Sequence, residues 1–91
     1  MAKLCELIAS VDQMDLEDVI CAKPEWRPDS EARVFRLTED YRVPDEAKTQ
    51  GYEYFLEADV IRQVLEEFHD RPDASIEEKC NRVIHYAKFD A

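Results

Sequence analysis

One stretch of this 91-residue sequence alternates between two kinds of side chain: Arg33-Val34-Phe35-Arg36-Leu37-Thr38. Successive side chains of a β-strand point to opposite faces, so Phe35 and Leu37 share one face of such a strand. Val34 and Arg36 then share the other face. The alternation therefore predicts a strand with one apolar side.

A second strand is predicted at residues 19–22, a short apolar run with β-branched residues that Pro24 stops. The segment from Pro24 to Ser30 contains two prolines and predicts a loop, so the two strands are expected to form a hairpin with a long connection. Further along, Gly51 is the only glycine and predicts a turn with positive φ. The following residues 52–55 predict a third, short strand.

Three helices are predicted around these strands, because apolar residues recur at helical spacing. The N-terminal helix is predicted from Leu4, Leu7, Ile8 and Val11, and is expected to end between Ser10 and Asp12. The second helix has Asp59 as its expected N-cap, Arg62 on its outer face, and an apolar stripe made of Val60, Ile61, Val64, Leu65 and Phe68.

The last helix begins with a capping box, in which Ser75 and Glu78 satisfy each other's backbone N–H groups. Its expected buried side consists of Ile76, Cys80, Val83, Ile84 and Ala87. We therefore expect one α+β domain over residues 1–91. A small antiparallel sheet of two or three strands would pack on one face against three helices, one N-terminal and two C-terminal.

The composition is that of a folded acidic domain. The chain is 45% hydrophobic and holds 12 Lys and Arg against 22 Asp and Glu residues, a formal net charge of −10 at pH 7. Such a charge disfavours direct binding to nucleic acids or to anionic membranes. It favours a basic protein partner, since opposite fields speed association. The alternative is that the charge only keeps the protein soluble.

The three cysteines, Cys5, Cys21 and Cys80, are widely spaced and lie next to apolar residues. They are expected to be reduced, buried thiols in a cytoplasmic protein. The N-terminus has no long apolar run and carries an early acid at Glu6, so neither a signal peptide nor a membrane span is expected.

Nothing in the sequence predicts catalysis, a metal ion or another cofactor. The two histidines, His69 and His85, have no cysteine or histidine at metal-ligand spacing. Pairs of adjacent acids are typical of a solvated face, and a single glycine rules out a glycine-rich phosphate loop. We therefore expect the protein to act by binding, not as an enzyme.

Two segments are candidates for contact with a partner. Trp26 lies in the proline-containing loop, where large aromatic residues often anchor interfaces, although Trp26 can instead fold back over the sheet. The second segment combines acids with a tyrosine, which suits lysine- and arginine-rich surfaces. The expected partner-binding residues are Trp26, Glu39, Asp40, Tyr41, Asp45 and Glu46.

Three motifs resemble those of small bacterial immunity proteins, which are encoded beside polymorphic or contact-dependent toxins. The motifs are Leu4-Cys5-Glu6-Leu7-Ile8, Pro24-Glu25-Trp26 and His85-Tyr86-Ala87-Lys88-Phe89-Asp90-Ala91. The resemblance implies a cytoplasmic protein that binds and neutralises a cognate toxin domain, often a basic nuclease, and that has no catalytic residues. Two alternatives stay open: an acidic DNA-mimic inhibitor of a nucleic-acid-binding protein, and an accessory subunit or homodimer without enzymatic activity.

Overall fold

The fold is built on a three-stranded antiparallel sheet. The computed structural model describes residues 2–89, so Asp90 and Ala91 of the C-terminal motif lie outside the described residues. The strands are β1 (Asp18–Ala22), β2 (Ala32–Arg36) and β3 (Glu53–Glu57), in the order β2-β1-β3. The predicted hairpin of the first two strands is confirmed, and so is the third strand, which begins one residue later than predicted.

Four α-helices accompany the sheet: α1 (Leu4–Ala9), α2 (Asp45–Thr49), α3 (Ala58–Leu65) and α4 (Ile76–Phe89). One-turn 3-10 helices follow α1 at Val11–Gln13 and α3 at Glu66–Phe68. The α+β class and the N-terminal and C-terminal helices are as predicted, and α2 is an additional helix. Within residues 2–89, no helix combines the length and the apolar character that a bilayer crossing requires.

The register of the strands defines two ends of the sheet. Asp18 pairs with Arg36 at one end of the hairpin, and Ala22 pairs with Ala32 at the other. On the opposite side of β1, Val19 pairs with Glu57, so the end of β3 joins the Asp18 end. A five-residue strand is about 15 Å long, which separates the Asp18 end from the Ala22 end.

The main core lies between one face of the sheet and α1, α3 and α4. Ile20 of β1 and Phe55 of β3 are buried there, and burying such a side chain contributes about 1.5–3 kcal/mol. The other buried members of this core are Leu4, Ile8, Val11, Ala22, Ala32, Leu56, Ala58, Ile61, Cys80, Val83 and Ile84.

The opposite face of the sheet is covered as well, which corrects the expectation that the helices lie on one face only. Val19 and Cys21 of β1 pack there against Ala47 of α2 and Tyr52, with Phe35 at the edge. β1 is therefore buried on both of its faces. The helix α2 was not predicted because Ala47 is its one buried residue, which leaves no apolar stripe to recognise.

Two interpretations of α3 were wrong. Asp59 is not the N-cap, since Glu57 holds that position and Asp59 instead accepts a 3.2 Å hydrogen bond from the Gln63 side chain one turn later. Arg62 does not point into solvent. Its guanidinium is partly buried and donates to the backbone carbonyls of Val11, at 2.9 Å, and Met14, so α3 is tied to the turn that follows α1.

The beginning of α4 is only partly as predicted. The Glu78 N–H donates to the Ser75 hydroxyl at 3.0 Å, but the Glu78 carboxylate forms an ion pair with Arg71 and does not reach back to the cap. Ile76 is 58% exposed, because the first turn of α4 lies at the rim of a small cleft beside Leu65 and not over the core. The predicted turn at Gly51 is confirmed by its φ of 88°.

Candidate functional site

A surface cleft of about 400 Å³ lies at the Asp18 end of the sheet. Three segments form it: the turn that leads into β1, the residues that follow β2, and the last residue of β3. We call it the acidic cleft, and its lining residues are Glu17, Arg36, Leu37, Thr38, Tyr41 and Glu57.

The centre of the acidic cleft is Arg36, which three carboxylates surround. Its Nε donates to Oδ1 of Asp18 at 2.8 Å, and its Nη1 donates to Oε2 of Glu17 at 3.3 Å. A third ion pair joins Nη2 to Asp15. The pKa of the guanidinium is raised, first by its hydrogen bond with Asp18. Three acids around one base leave this cluster with a formal negative charge.

Local backbone geometry explains why these groups meet. Asp18 and Arg36 are paired across the two strands, so their side chains emerge side by side at the end of the sheet. The turn before β1 is closed by the Asp18 N–H, which donates to the Asp15 carbonyl at 3.0 Å. That turn brings Asp15 and Glu17 within ion-pair distance of the guanidinium.

Tyr41 stands at the rim of the cleft on a tight loop. The Thr38 N–H donates to the Arg42 carbonyl at 2.9 Å, and the Tyr41 N–H donates to the Thr38 carbonyl at 2.8 Å. Tyr41 has a φ of 60°, a left-handed conformation that non-glycine residues rarely adopt. Its side chain is 85% exposed, so the loop presents an aromatic ring to solvent beside the carboxylates.

Of the six predicted partner-binding residues, Tyr41 alone is among those that line the acidic cleft. Glu39 and Asp40 are exposed on the same tight loop as Tyr41. Asp45 and Glu46 are exposed in the first turn of α2, where acids also complement the helix dipole.

Trp26, the sixth predicted residue, lies at the Ala22 end of the sheet, in the loop between β1 and β2. It is partly buried, donates its Nε1–H to the Ala22 carbonyl at 3.3 Å, and packs edge-on against Phe55 with 5.1 Å between the ring centroids. Trp26 therefore covers the sheet and is not part of the acidic cleft.

The sequence prediction missed the other lining residues of the cleft and the acid that pairs with Arg36, namely Glu17, Arg36, Leu37, Thr38, Glu57 and Asp15. One signal for them was present. The sequence predicted that the two strands form a hairpin, and the register seen in the structure, with Asp18 opposite Arg36, places this acid beside this base. The alternation of the second strand had already put Leu37 on an apolar face.

No cysteine or histidine lines the acidic cleft. Burial raises the pKa of Cys21 to about 11 and that of Cys80 to about 12, which makes both thiols poor nucleophiles. His85 packs its ring against Phe89, 4.9 Å between centroids. Across residues 2–89, no three side chains of the metal-binding types are placed to hold one ion. What the cleft offers is a charged and aromatic contact surface. Comparison with protein-family models, with curated proteins and with solved structures finds no match for this chain.

Proposed function

We propose that this protein binds a cationic partner protein through the acidic cleft and thereby inhibits it, as an immunity-type protein does with a toxin domain. The observation that carries the proposal is the combination at the Asp18 end of the sheet: an exposed aromatic ring and an apolar side chain, Tyr41 and Leu37, bordered by carboxylates. The chain acts by occupying its partner and not by catalysis, and we place this action in the cytoplasm.

The apolar component of the cleft supports a protein partner. Interfaces bury a few aromatic or apolar anchors inside a polar rim, and those anchors carry most of the binding energy. Tyr41 and Leu37 can serve as anchors. Leu16, which is 52% exposed, precedes the lining residue Glu17 in the turn before β1. A small ion would gain no binding energy from these apolar side chains, whereas a protein surface would.

The charge of the cleft supports a basic partner. Arg36 is already paired with acids of its own chain. Further carboxylates border the cleft: Glu57 is in its lining, and Glu39 and Asp40 are exposed on the loop that carries Tyr41. With an overall net charge of −10, these groups attract lysine- and arginine-rich surfaces over a distance of about one Debye length. Nucleases offer such surfaces in the grooves that hold their substrates.

The test compares two charge-reversal variants. In the first, Glu39→Lys and Asp40→Lys reverse two carboxylates on the loop that carries Tyr41 at the acidic cleft. In the matched control, Glu25→Lys and Asp29→Lys make the same change of net charge in the exposed loop at the opposite end of the sheet. A pull-down with the wild-type protein first identifies the partner. Both variants are then co-expressed with that partner, host growth reports neutralisation, and calorimetry at two salt concentrations gives the affinity.

The cleft variant is expected to bind at least about tenfold more weakly than the wild type and to lose part of its salt dependence, because rim charges act through long-range attraction. The control variant is expected to keep its affinity within about threefold. Equal losses in the two variants would mean that net charge alone matters and not the cleft. An unchanged affinity of the cleft variant would remove the electrostatic basis of the proposal.

A further inference from the structure

The three-stranded sheet has two outer edges, and the two edges differ in regularity. On the β3 side, the register against β1 shifts between Ile20 and Cys21. Such an irregularity twists an edge strand and hinders the addition of a further strand. β2, in contrast, is paired with β1 in an unbroken register along its whole length. The regular edge of this sheet is therefore that of β2.

The first part of the β2 edge is covered by the N-terminal segment of the same chain. Lys3 and Glu31 form an antiparallel bridge just before β2 begins. Next to this bridge, the Ala32 N–H donates to the Ala2 carbonyl at 3.0 Å. An extended segment that runs antiparallel to β2 thus fits against this edge.

Beyond Ala32 the same edge is open. The Glu31 carbonyl accepts from the Lys23 N–H, so residue 31 bonds on the β1 side, whereas the Ala32 N–H bonds outward. Because these directions alternate along a strand, the backbone N–H and C=O groups of Val34 and Arg36 also point outward. Within residues 2–89, no partner is bonded to these outward groups.

The open part of the edge leads into the acidic cleft. Arg36, Leu37 and Thr38 continue along β2 into the lining of the cleft, and the Thr38 N–H is already bonded to the Arg42 carbonyl. The side chain of Val34 is 37% exposed and shares one face of β2 with Arg36, which is paired with three carboxylates. A strand added here would contact first an apolar and then a negatively charged neighbour.

We propose that the cationic partner adds an extended segment of its own chain to the free edge of β2. This segment runs antiparallel to β2, with a lysine or arginine opposite Arg36 and an apolar residue opposite Val34. The inference rests on the proposed function and specifies the form in which the partner binds. Because the two strands run in opposite directions, the basic residue comes two positions before the apolar residue in the partner.

Two kinds of contact would hold the added strand. Backbone hydrogen bonds to Val34 and Arg36 supply affinity, and the side chains opposite them supply specificity. The basic residue would lie beside carboxylates that outnumber the Arg36 guanidinium, so its charge is compensated. The same charges disfavour a second copy of this chain as the occupant, since each copy carries a net charge of −10.

The test uses capped synthetic peptides and nuclear magnetic resonance of the full-length protein. The probe peptide consists of threonines around one arginine and one valine, with the arginine two positions before the valine. In a first derivative, N-methyl groups on the arginine and the valine block the amides that would face β2. In the matched derivative, the N-methyl groups are on the threonines that follow these two residues, whose amides would face away.

In the free protein, the amides of Val34 and Arg36 are expected to exchange with solvent at least about tenfold faster than those of Arg33 and Phe35, which bond to β1. The probe peptide should shift the Val34 and Arg36 signals and slow their exchange. The first derivative should bind at least about tenfold more weakly than the probe, and the matched derivative within about threefold of it.

A pair of variants tests the edge from the side of the protein. Val34→Pro removes an outward N–H without removing a hydrogen bond to β1, and edge strands tolerate proline. It should weaken probe binding at least about tenfold, whereas Val34→Ala keeps the N–H and should stay within about threefold. Circular dichroism checks that both variants are folded.

The same variants separate this inference from the proposed function once the partner is identified. A partner that loses affinity for the Glu39→Lys, Asp40→Lys variant but not for Val34→Pro would overturn strand addition and leave the proposed function in place. A partner that loses affinity for Val34→Pro but not for the charge variant would support strand addition and remove the electrostatic basis of the proposed function.

Five results would overturn the inference with the peptides alone. Slow exchange of the Val34 and Arg36 amides in the free protein would show that the edge is closed. Signals of these amides that shift with protein concentration would show that a second copy occupies it. The other three are no shift at millimolar probe, equal binding of the two methylated derivatives, and equal binding of a probe with glutamate in place of arginine.

Discussion

Asp18 and Arg36 are partners in the strand pairing and partners in an ion pair, with 2.8 Å between Asp18 Oδ1 and Arg36 Nε. The same guanidinium also holds Glu17 and Asp15, which belong to the turn before β1. Arg36 of β2 thus holds the turn before β1 in place and lines the acidic cleft.

Replacing Arg36 with Gln should lower the melting temperature of the protein slightly and should do so more at low than at high salt. Three acids would then face one another without a base, and salt screens the repulsion between exposed charges. Thermal melts at two salt concentrations measure the effect, with Arg27→Gln in the β1–β2 loop as the control. A decrease that is the same at both salt concentrations would show that Arg36 acts through packing and not through charge.

Replacing Tyr41 with Gly should stabilise the fold while weakening the proposed binding. The left-handed conformation of Tyr41 costs about 1 kcal/mol with a side chain and almost nothing with glycine. Removal of the exposed ring should cost at least about 1 kcal/mol of binding energy if Tyr41 is an anchor. Urea unfolding and calorimetry measure the two effects separately.

The control for Tyr41 is its neighbour. Within residues 2–89, Tyr41 is the one non-glycine residue with positive φ, so Asp40 has no left-handed conformation for glycine to relieve. Asp40→Gly is therefore expected to lower stability, because glycine adds conformational freedom to the unfolded chain. Equal stability changes in the two variants would contradict the conformational argument. A Tyr41→Gly variant that retains full affinity would remove Tyr41 from the site.

Replacing Arg62 with Met should destabilise the protein by about 1–3 kcal/mol, although Met keeps most of the apolar stem. The substitution removes the donors for the Val11 and Met14 carbonyls, and charged donors make the stronger hydrogen bonds. Chemical denaturation measures the loss. Gln63→Met, on the same helix but with only an exposed contact to Asp59, is the control and should change stability by less than about 0.5 kcal/mol.

Glu31 should make stability depend on pH in the acid range. Its carboxylate accepts a 2.7 Å hydrogen bond from the Tyr52 hydroxyl and lies 3.0 Å from the Lys23 ammonium, and these contacts lower its pKa. A carboxyl group with a lowered pKa stabilises the fold above its unfolded pKa, which is about 4.3 for glutamate. That stabilisation disappears as the pH falls through the lowered value.

The Glu31→Gln variant should therefore be less stable than the wild type at pH 7 and should approach it as the pH falls below about 4. Melting temperatures between pH 7 and pH 2 test this, with Glu25→Gln in the exposed loop as the control. A constant difference between variant and wild type over the whole range would show that the Glu31 charge does not contribute.

The elements that the sequence predicted well are those with a complete local signal. The alternation around Phe35 and the serine cap at Ser75 each depend on neighbours within a few residues, and both are confirmed. The helix α2 has a single buried residue, Ala47, and only its position against Val19 and Cys21 makes it part of the core. Local periodicity contains no such information.

In the candidate site, too, residues that are adjacent in sequence were predicted, and residues that only the fold brings together were missed. The exposed acids and Tyr41 were found because they are adjacent in sequence. Arg36 and its acids come from segments about 20 residues apart, and the register of β1 and β2 is needed to join them. Arg62 was assigned to solvent because its partners, the carbonyls of Val11 and Met14, are about 50 residues away.

β1 is buried on both faces, and this has a consequence for the chain before it is folded. In an unfolded or newly made chain, the β1 segment is exposed to solvent. Its apolar residues Val19-Ile20-Cys21-Ala22 have high strand propensity, as is typical of segments that nucleate aggregation. Acids stand immediately before it at Glu17 and Asp18, and Lys23 and Pro24 stand immediately after it. Charges and prolines that flank an apolar segment disfavour its pairing with other chains. Glu17 and Asp18, which pair with Arg36 in the folded protein, are therefore expected to limit aggregation of the nascent chain as well.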